Sequence, residues 1–184
     1  MAKAYHFLQA NMRAGYGKER PWKVGETRKL RSVKRIKLCE YGYHASLTLW
    51  DALQYAPGPV ACLVEVSDAI ASDDTKSVHA SRTLVKAVNI ERELRLFAAD
   101  CAERVLYIFE RDYPTDKRPR EAIQAARDFA NGKISAAARA AAWAAAWAAA
   151  GAAAGAAAGA AAWDAEIKWQ REHFEEMLGG VFNE

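Results

Sequence analysis

The stretch ASRTLVKAVNIERELRLFAADCAERVLYIF, residues 80–109, changes its period half-way along, and that change decides the fold class. Up to Ile90 it is rich in β-branched residues and reads as a strand. From Glu91 onward Leu94, Phe97, Cys101, Val105 and Ile108 recur every three or four residues, which predicts a helix with one buried face. A sheet lies before this point and helices lie after it. The expected class is therefore α+β: a small N-terminal mixed sheet domain over residues 1–95, followed by an Ala-rich helical region over 96–184.

Toward the N-terminus, KAYHFL reads as a first strand and GYGKERPWKVGE as a glycine-rich loop. RIKLCEYGYHAS predicts a short strand followed by a turn at Gly42. Thr48 is placed to cap a helix, with Asp51 three residues on as the second half of a capping box, and TLWDALQYA runs until Pro57-Gly58-Pro59 stops it. VACLVEVSDAI reads as one strand and DDTKS as a polar turn.

Toward the C-terminus, Pro114 ends the first long helix, and Pro119 suits the first turn of PREAIQAARDFANG, which Asn131-Gly132 closes. A further helix is expected from Ser135 through the alanine run to WDAEIKWQREHFEEMLGG. Unbroken it would hold roughly 45 residues and span about 65 Å. That is too long for one compact unit. The alternatives are a turn in the glycine zone, giving a helical hairpin, or a projecting helix that finds a partner. Gly151, Gly155 and Gly159 are four apart and continue a series with Trp143, Trp147 and Trp163. Small residues on such a winding stripe permit close helix packing, so self-association through this helix is expected. A membrane span is disfavoured, because alanine and glycine lack the hydrophobicity that drives insertion.

The net charge of +3 conceals an asymmetry: residues 1–37 carry eleven Lys and Arg against two Glu, a net of +9, and the remainder carries −6. A basic segment that holds Trp22 suits a phosphate-bearing partner, so Arg28, Arg31 and Arg35 become candidate ligand-binding residues. Three cysteines without metal-type spacing fit reduced thiols in a cytoplasm. The four histidines lack zinc spacing, and no nucleophile triad, Walker loop or dinucleotide fingerprint is present, so no catalytic residue, metal or cofactor is expected.

Leu38, Cys39, Gly42, His44 and Ala45, followed by LVEVSD and by Lys76, Ser77, Ser81 and Arg82, resemble a domain of unknown function found in phage and bacterial proteins. The resemblance spans about residues 20–97. AADCAERVLYIFERDYPTDKRPREAIQAARDFANGKI, residues 98–134, looks like the helical immunity-protein family. There is also a similarity to the mono-ADP-ribosyltransferase fold. It implies a nicotinamide dinucleotide site built from His6 on an early strand, Tyr43, His44 and Ser46 at a strand-to-helix turn, and Glu91 or Glu93 on a later strand.

The candidate ligand-binding set is thus His6, Tyr43, His44, Ser46, Lys76 and Arg82 with Arg28, Arg31 and Arg35. His79, Lys76, Ser77, Ser81 and Arg82 read either as a polar loop entering a strand or as a phosphate cradle with Arg82 as its fork-shaped donor. The leading expectation is a phage-type, non-catalytic binding protein that neutralises a host factor or sequesters a nucleotide-like ligand. The alternatives are an ADP-ribosyltransferase-like enzyme and a structural self-assembly protein.

Overall fold

A computed structural model describes residues 1–15, 19–138 and 160–182. The chain divides into two compact units, one formed by Met1–Glu91 with Leu178–Glu184 and the other by Arg92–Met177.

In the first unit the strands are β1 (Ala2–Leu8), β2 (Thr27–Lys29), β3 (Tyr43–Ala45), β4 (Val60–Val66), β5 (Ala69–Ser72), β6 (Ser77–His79) and β7 (Ser81–Asn89). They make a four-stranded sheet in the order β1-β4-β7-β2 and a three-stranded sheet in the order β3-β6-β5. Every ladder is antiparallel. The two sheets are tied where Tyr5 and Ser46 exchange backbone hydrogen bonds of 2.8 and 2.9 Å.

Period-two alternation sends Ala4 and Leu8 of β1, Val60, Cys62, Val64 and Val66 of β4, and Leu84 of β7 into one core cluster, joined by Trp22 and Ala45. His6 and Arg82 occupy inward positions of the same alternation. A bulge shifts the register between Leu63 and Val64, so that Val64 pairs with Leu84 and Leu63 with Lys86. The extra residue is Val85, which is exposed, and Ala87 returns to the core side.

Thr48 caps helix α1 (Leu49–Leu53) by accepting the Asp51 N–H at 3.0 Å. Its hydroxyl also donates to the Asp51 carboxylate at 2.7 Å, a tighter closure than the reciprocal backbone contact of a capping box. The helix is shorter than TLWDALQYA suggests. VACLVEVSDAI likewise divides into β4 and β5, because after Val66 the chain leaves one sheet and enters the other.

One expectation is reversed. Residues 37–41 form a tight turn closed by the Lys37–Tyr41 bridge, with Cys39 at φ 67°, and the strand Tyr43–Ala45 follows Gly42 instead of preceding it.

The second unit contains α2 (Glu91–Asp112, from Arg92 on), α3 (Arg118–Ala130) and α4 (Ala160–Leu178, up to Met177). Pro119 stands in the first turn of α3, and Gly132 at φ 69° follows its end. The expected single face of α2 is corrected: Val105 is exposed and Leu106 is buried. The reason is that α2 serves two neighbours. Toward α3 it offers Asp100 and Glu103 to Arg127, each at 2.7 Å, and Glu110 to Arg120 at 2.8 Å. Toward α4 it sets Phe97 edge-on to the buried Phe174, centroids 5.3 Å apart, and pairs Arg104 with Glu166 at 2.8 Å.

Among the described residues no helix is long and apolar enough to cross a membrane. The expectations for Trp143, Trp147, Gly151, Gly155 and Gly159, and with them the choice between continuous helix and hairpin, lie outside the described residues.

Candidate functional site

The first unit contains a cleft of about 680 Å³, inside the size range of small-molecule sites. Six sequence candidates line it: His6, Tyr43, His44, Ser46, Lys76 and Arg82. β1 contributes His6, β3 contributes Tyr43 and His44, and β7 contributes Arg82, so the site forms where the two sheets meet.

Arg82 dominates its electrostatics. The residue is 4% exposed, and its guanidinium makes one hydrogen bond, from Nη1 to the His44 carbonyl at 2.9 Å. It lies 4.6 Å from the centroid of Trp22 and 5.4 Å from that of Tyr43. No carboxylate stands within ion-pair distance of it among the described residues. Burial pulls its ordinary value down to about 10, which leaves it charged at neutral pH. Four of its five N–H donors are therefore uncommitted.

His6 is partly covered as a residue, but its Nε2 is fully buried and has no hydrogen-bond partner among the described residues. Desolvation, then the charge of Arg82 and the proximity of His44, hold it well below its usual value, so it is neutral. His44 is also lowered, first by burial and then by Lys76, while a hydrogen bond with the Gly42 backbone acts the other way. Its Nε2 accepts the Cys39 N–H at 2.9 Å, which fixes the proton on Nδ1 and braces the turn that presents Tyr41. Lys76 lies at the rim, with Nζ 4.0 Å from the centroid of Tyr55. The Ser46 N–H and carbonyl are both taken up by Tyr5, which ties this wall of the cleft to β1.

Arg28, Arg31 and Arg35 do not line the cleft. Arg28 grips Glu26 with Nε and Nη2 at 2.9 and 3.0 Å, donates to the carbonyls of Arg20 and Pro21, and lies 4.0 Å over Trp22. It is a staple for the loop that carries Trp22. Arg31 is exposed, and Arg35 sits 5.8 Å from the Tyr41 ring centroid.

The staple has a pH signature. The Arg28 hydrogen bond, followed by the Lys23 backbone contact and the charges of Arg28 and Arg20, overcomes desolvation and lowers Glu26 from 4.5 to about 2. A carboxylate with a depressed folded value adds stability that is complete above its unfolded value and disappears as pH falls toward the folded one. Glu26→Gln is expected to lower stability at pH 7 and to flatten the loss of stability between pH 4.5 and 2, read from urea midpoints across that range. An acid profile identical to the parent's would exclude the assignment.

Of the five cradle residues only Lys76 and Arg82 line the cleft. Ser77 bonds to His79 Nε2 at 2.8 Å and to the Ala45 carbonyl at 3.2 Å, while His79 Nδ1 bonds the Ser67 carbonyl at 2.7 Å. These groups lock β6 to its neighbours. Asp73 is likewise committed, accepting the N–H groups of Thr75 and Lys76. The catalytic strand implied by the transferase similarity is absent at NIEREL: Asn89 accepts the Glu91 N–H at 3.0 Å, and Glu91 and Glu93 open α2. No cluster of His, Cys, Asp or Glu among the described residues could hold a metal.

Residues 2–96, the unit that builds this cleft with a few residues more, match the sequence model of a family described as a Domain of unknown function (DUF7666). The chain belongs to the DUF7666 family. Residues 86–174 match the family described as Imm-5 like putative immunity protein. No curated protein and no solved structure matches the chain. The cleft of the DUF7666 domain also draws in Tyr5, Tyr41, Tyr55, Glu19 and Glu40, which were not singled out from the sequence. Tyrosines carry no positional signature of their own. Both Tyr41 and Tyr55 are largely exposed, and their places on the cleft depend on the turn at Cys39 and on where α1 ends.

Proposed function

We propose that this chain is a non-catalytic binding protein of immunity type, in which the DUF7666 cleft holds a nucleotide-like anion and the helical unit meets a protein partner. One observation carries the ligand reading: Arg82 is a buried guanidinium with no carboxylate within ion-pair distance among the described residues, and it faces a cleft with several tyrosines in its lining. A lone buried charge is costly, by several kcal/mol on general grounds, and an anion delivered to it recovers part of that cost. Tyrosine faces provide stacking for a base, and such stacking contributes about 1–3 kcal/mol per base. The similarity of residues 86–174 to immunity proteins supports the partner role. The absence of a glutamate strand after β7 argues against the transferase alternative.

The test is native mass spectrometry of the freshly purified full chain, combined with thermal shift against nucleoside phosphates and incubation with labelled NAD. A nucleotide-sized mass increment, or a melting temperature that rises with nucleotide concentration, is expected, with NAD left intact. NAD consumption that disappears in His6→Ala would replace this reading with the enzymatic one. No increment and no shift with any nucleotide would remove the ligand.

A further inference from the structure

Resting on the proposed cleft function, a count of its charges narrows the ligand. The cations of the lining are Arg82 and Lys76, and neither has a carboxylate within ion-pair distance among the described residues. Asp73, three residues before Lys76, accepts the Thr75 and Lys76 N–H groups with one oxygen and acts on the Lys76 charge without a direct ion pair. The anions of the lining are Glu19 and Glu40. Glu19 shares Arg28 with Glu26, facing it at 3.7 Å, and also accepts the Trp22 Nε1–H at 3.2 Å, and Glu40 pairs with Lys37. Two cations without a direct ion pair among the described residues therefore share one cleft, with Glu19 acting on Arg82 only at longer range, and the remaining polar lining is neutral.

We propose that the cleft is a nucleoside monophosphate site, with the phosphate held by Arg82 in the interior and by Lys76 at the rim, and that Glu19 and Glu40 discriminate against di- and triphosphates. A phosphate monoester carries about −1.5 to −2 charges at pH 7, which balances two cations. A second or third phosphate adds charge that no further lining cation among the described residues meets. It would instead approach Glu19 and Glu40, where like-charge proximity is unfavourable. Arg82 suits a phosphate in another way. Its Nη1 is fixed by the His44 carbonyl and its plane is held against Trp22, so the uncommitted edge is already oriented for a two-pronged contact. Tyr43, at the same guanidinium, and Tyr55, beneath Lys76, are positioned to flank the nucleoside.

The experiment is calorimetric titration of the full chain, without divalent cations, with the mono- and triphosphates of adenosine, guanosine, cytidine and uridine and with inorganic phosphate. At least one monophosphate is expected to bind at least tenfold tighter than its own triphosphate and than inorganic phosphate. In Glu19→Gln/Glu40→Gln the advantage over the triphosphate is expected to shrink several-fold, because Gln keeps the Trp22 contact and removes the charge. A triphosphate that binds as tightly as the monophosphate overturns the inference while leaving the nucleotide reading intact, as does an unchanged ratio in a double variant whose thermal melt matches the parent. Inorganic phosphate binding as tightly as the nucleotides overturns the nucleoside part. Absence of binding by every nucleotide defeats the parent reading itself.

Discussion

Arg82→Met is expected to leave the unliganded protein at least as stable as the parent while reducing nucleotide affinity by about two orders of magnitude. The stability half follows from what Arg82 lacks. Its charge is buried among Trp22, Tyr43 and the β4 core, and the described residues offer it one carbonyl and no carboxylate. Burial lowers its value from 12.5 to about 10, so the penalty is fully present at neutral pH and is relieved only as pH rises past 10. Stacking on the two rings returns about 0.5–2 kcal/mol and the His44 hydrogen bond about 1 kcal/mol. Methionine is similar in length, fills irregular space and makes sulfur–aromatic contacts of about 0.3–1.5 kcal/mol. It also removes an ionic desolvation cost of several kcal/mol.

The binding half follows from what an anion would lose. Removing one partner of a buried charge pair costs about 2–5 kcal/mol, and every 1.4 kcal/mol is tenfold. Thermal unfolding and calorimetric titration of the same preparation read both halves. A melting temperature that falls by ten degrees or more would make Arg82 a structural cation and would remove the main support for the cleft as an anion site.

The sequence pointed to His6, Tyr43, His44 and Ser46 through the transferase resemblance and to Lys76 and Arg82 through the cradle pattern, and strand periodicity explains why His6 and Arg82 turn inward. His6 sits between Ala4 and Leu8, and Arg82 two residues before Leu84, so both are polar residues at inward positions of apolar strands. That placement is what distinguishes a site residue from a surface charge. The basic segment misled because composition reports charge and not its partners: Arg28 lies in the richest run of cations, yet two glutamates and two carbonyls occupy it. The order around Gly42 misled for a different reason. Cys39 adopts a positive φ that its residue type does not advertise, and the His44 imidazole stabilises the turn from five residues away. Along α2 the spacing of Leu94, Phe97, Cys101, Val105 and Ile108 describes a helix packed on one side, whereas a helix between two neighbours needs two stripes, and Leu106 belongs to the second.

Gly42→Ala is expected to destabilise the sheet unit by about 2–6 kcal/mol, a large part of the ~5–15 kcal/mol typical of a domain. Two independent costs meet at this position. Gly42 has φ 136°, a region that side chains rarely adopt, and holding alanine there costs about 1–3 kcal/mol. A Cβ would also stand 2.3 Å from Val78 Cγ2 and 3.0 Å from Ile36 Cγ2. Val78 is 0% exposed and lies in the central strand of its sheet, so it has nowhere to retreat, and overpacking of this kind costs about 1–3 kcal/mol more. The damage reaches the cleft directly, because Tyr43 and His44 follow Gly42 in the chain and the Cys39 N–H bond to His44 spans it. Gly25→Ala is the matched control. Gly25 has φ 84° in the same unit, but a Cβ there meets nothing within 4 Å, so it carries the backbone cost without the collision. Urea unfolding of the two variants beside the parent, followed by tryptophan fluorescence from the buried Trp22, separates the contributions: Gly42→Ala should lose stability well beyond Gly25→Ala. Equal losses would mean that β6 yields around the new methyl group, and the turn before Tyr43 would then not be what holds the cleft wall in place.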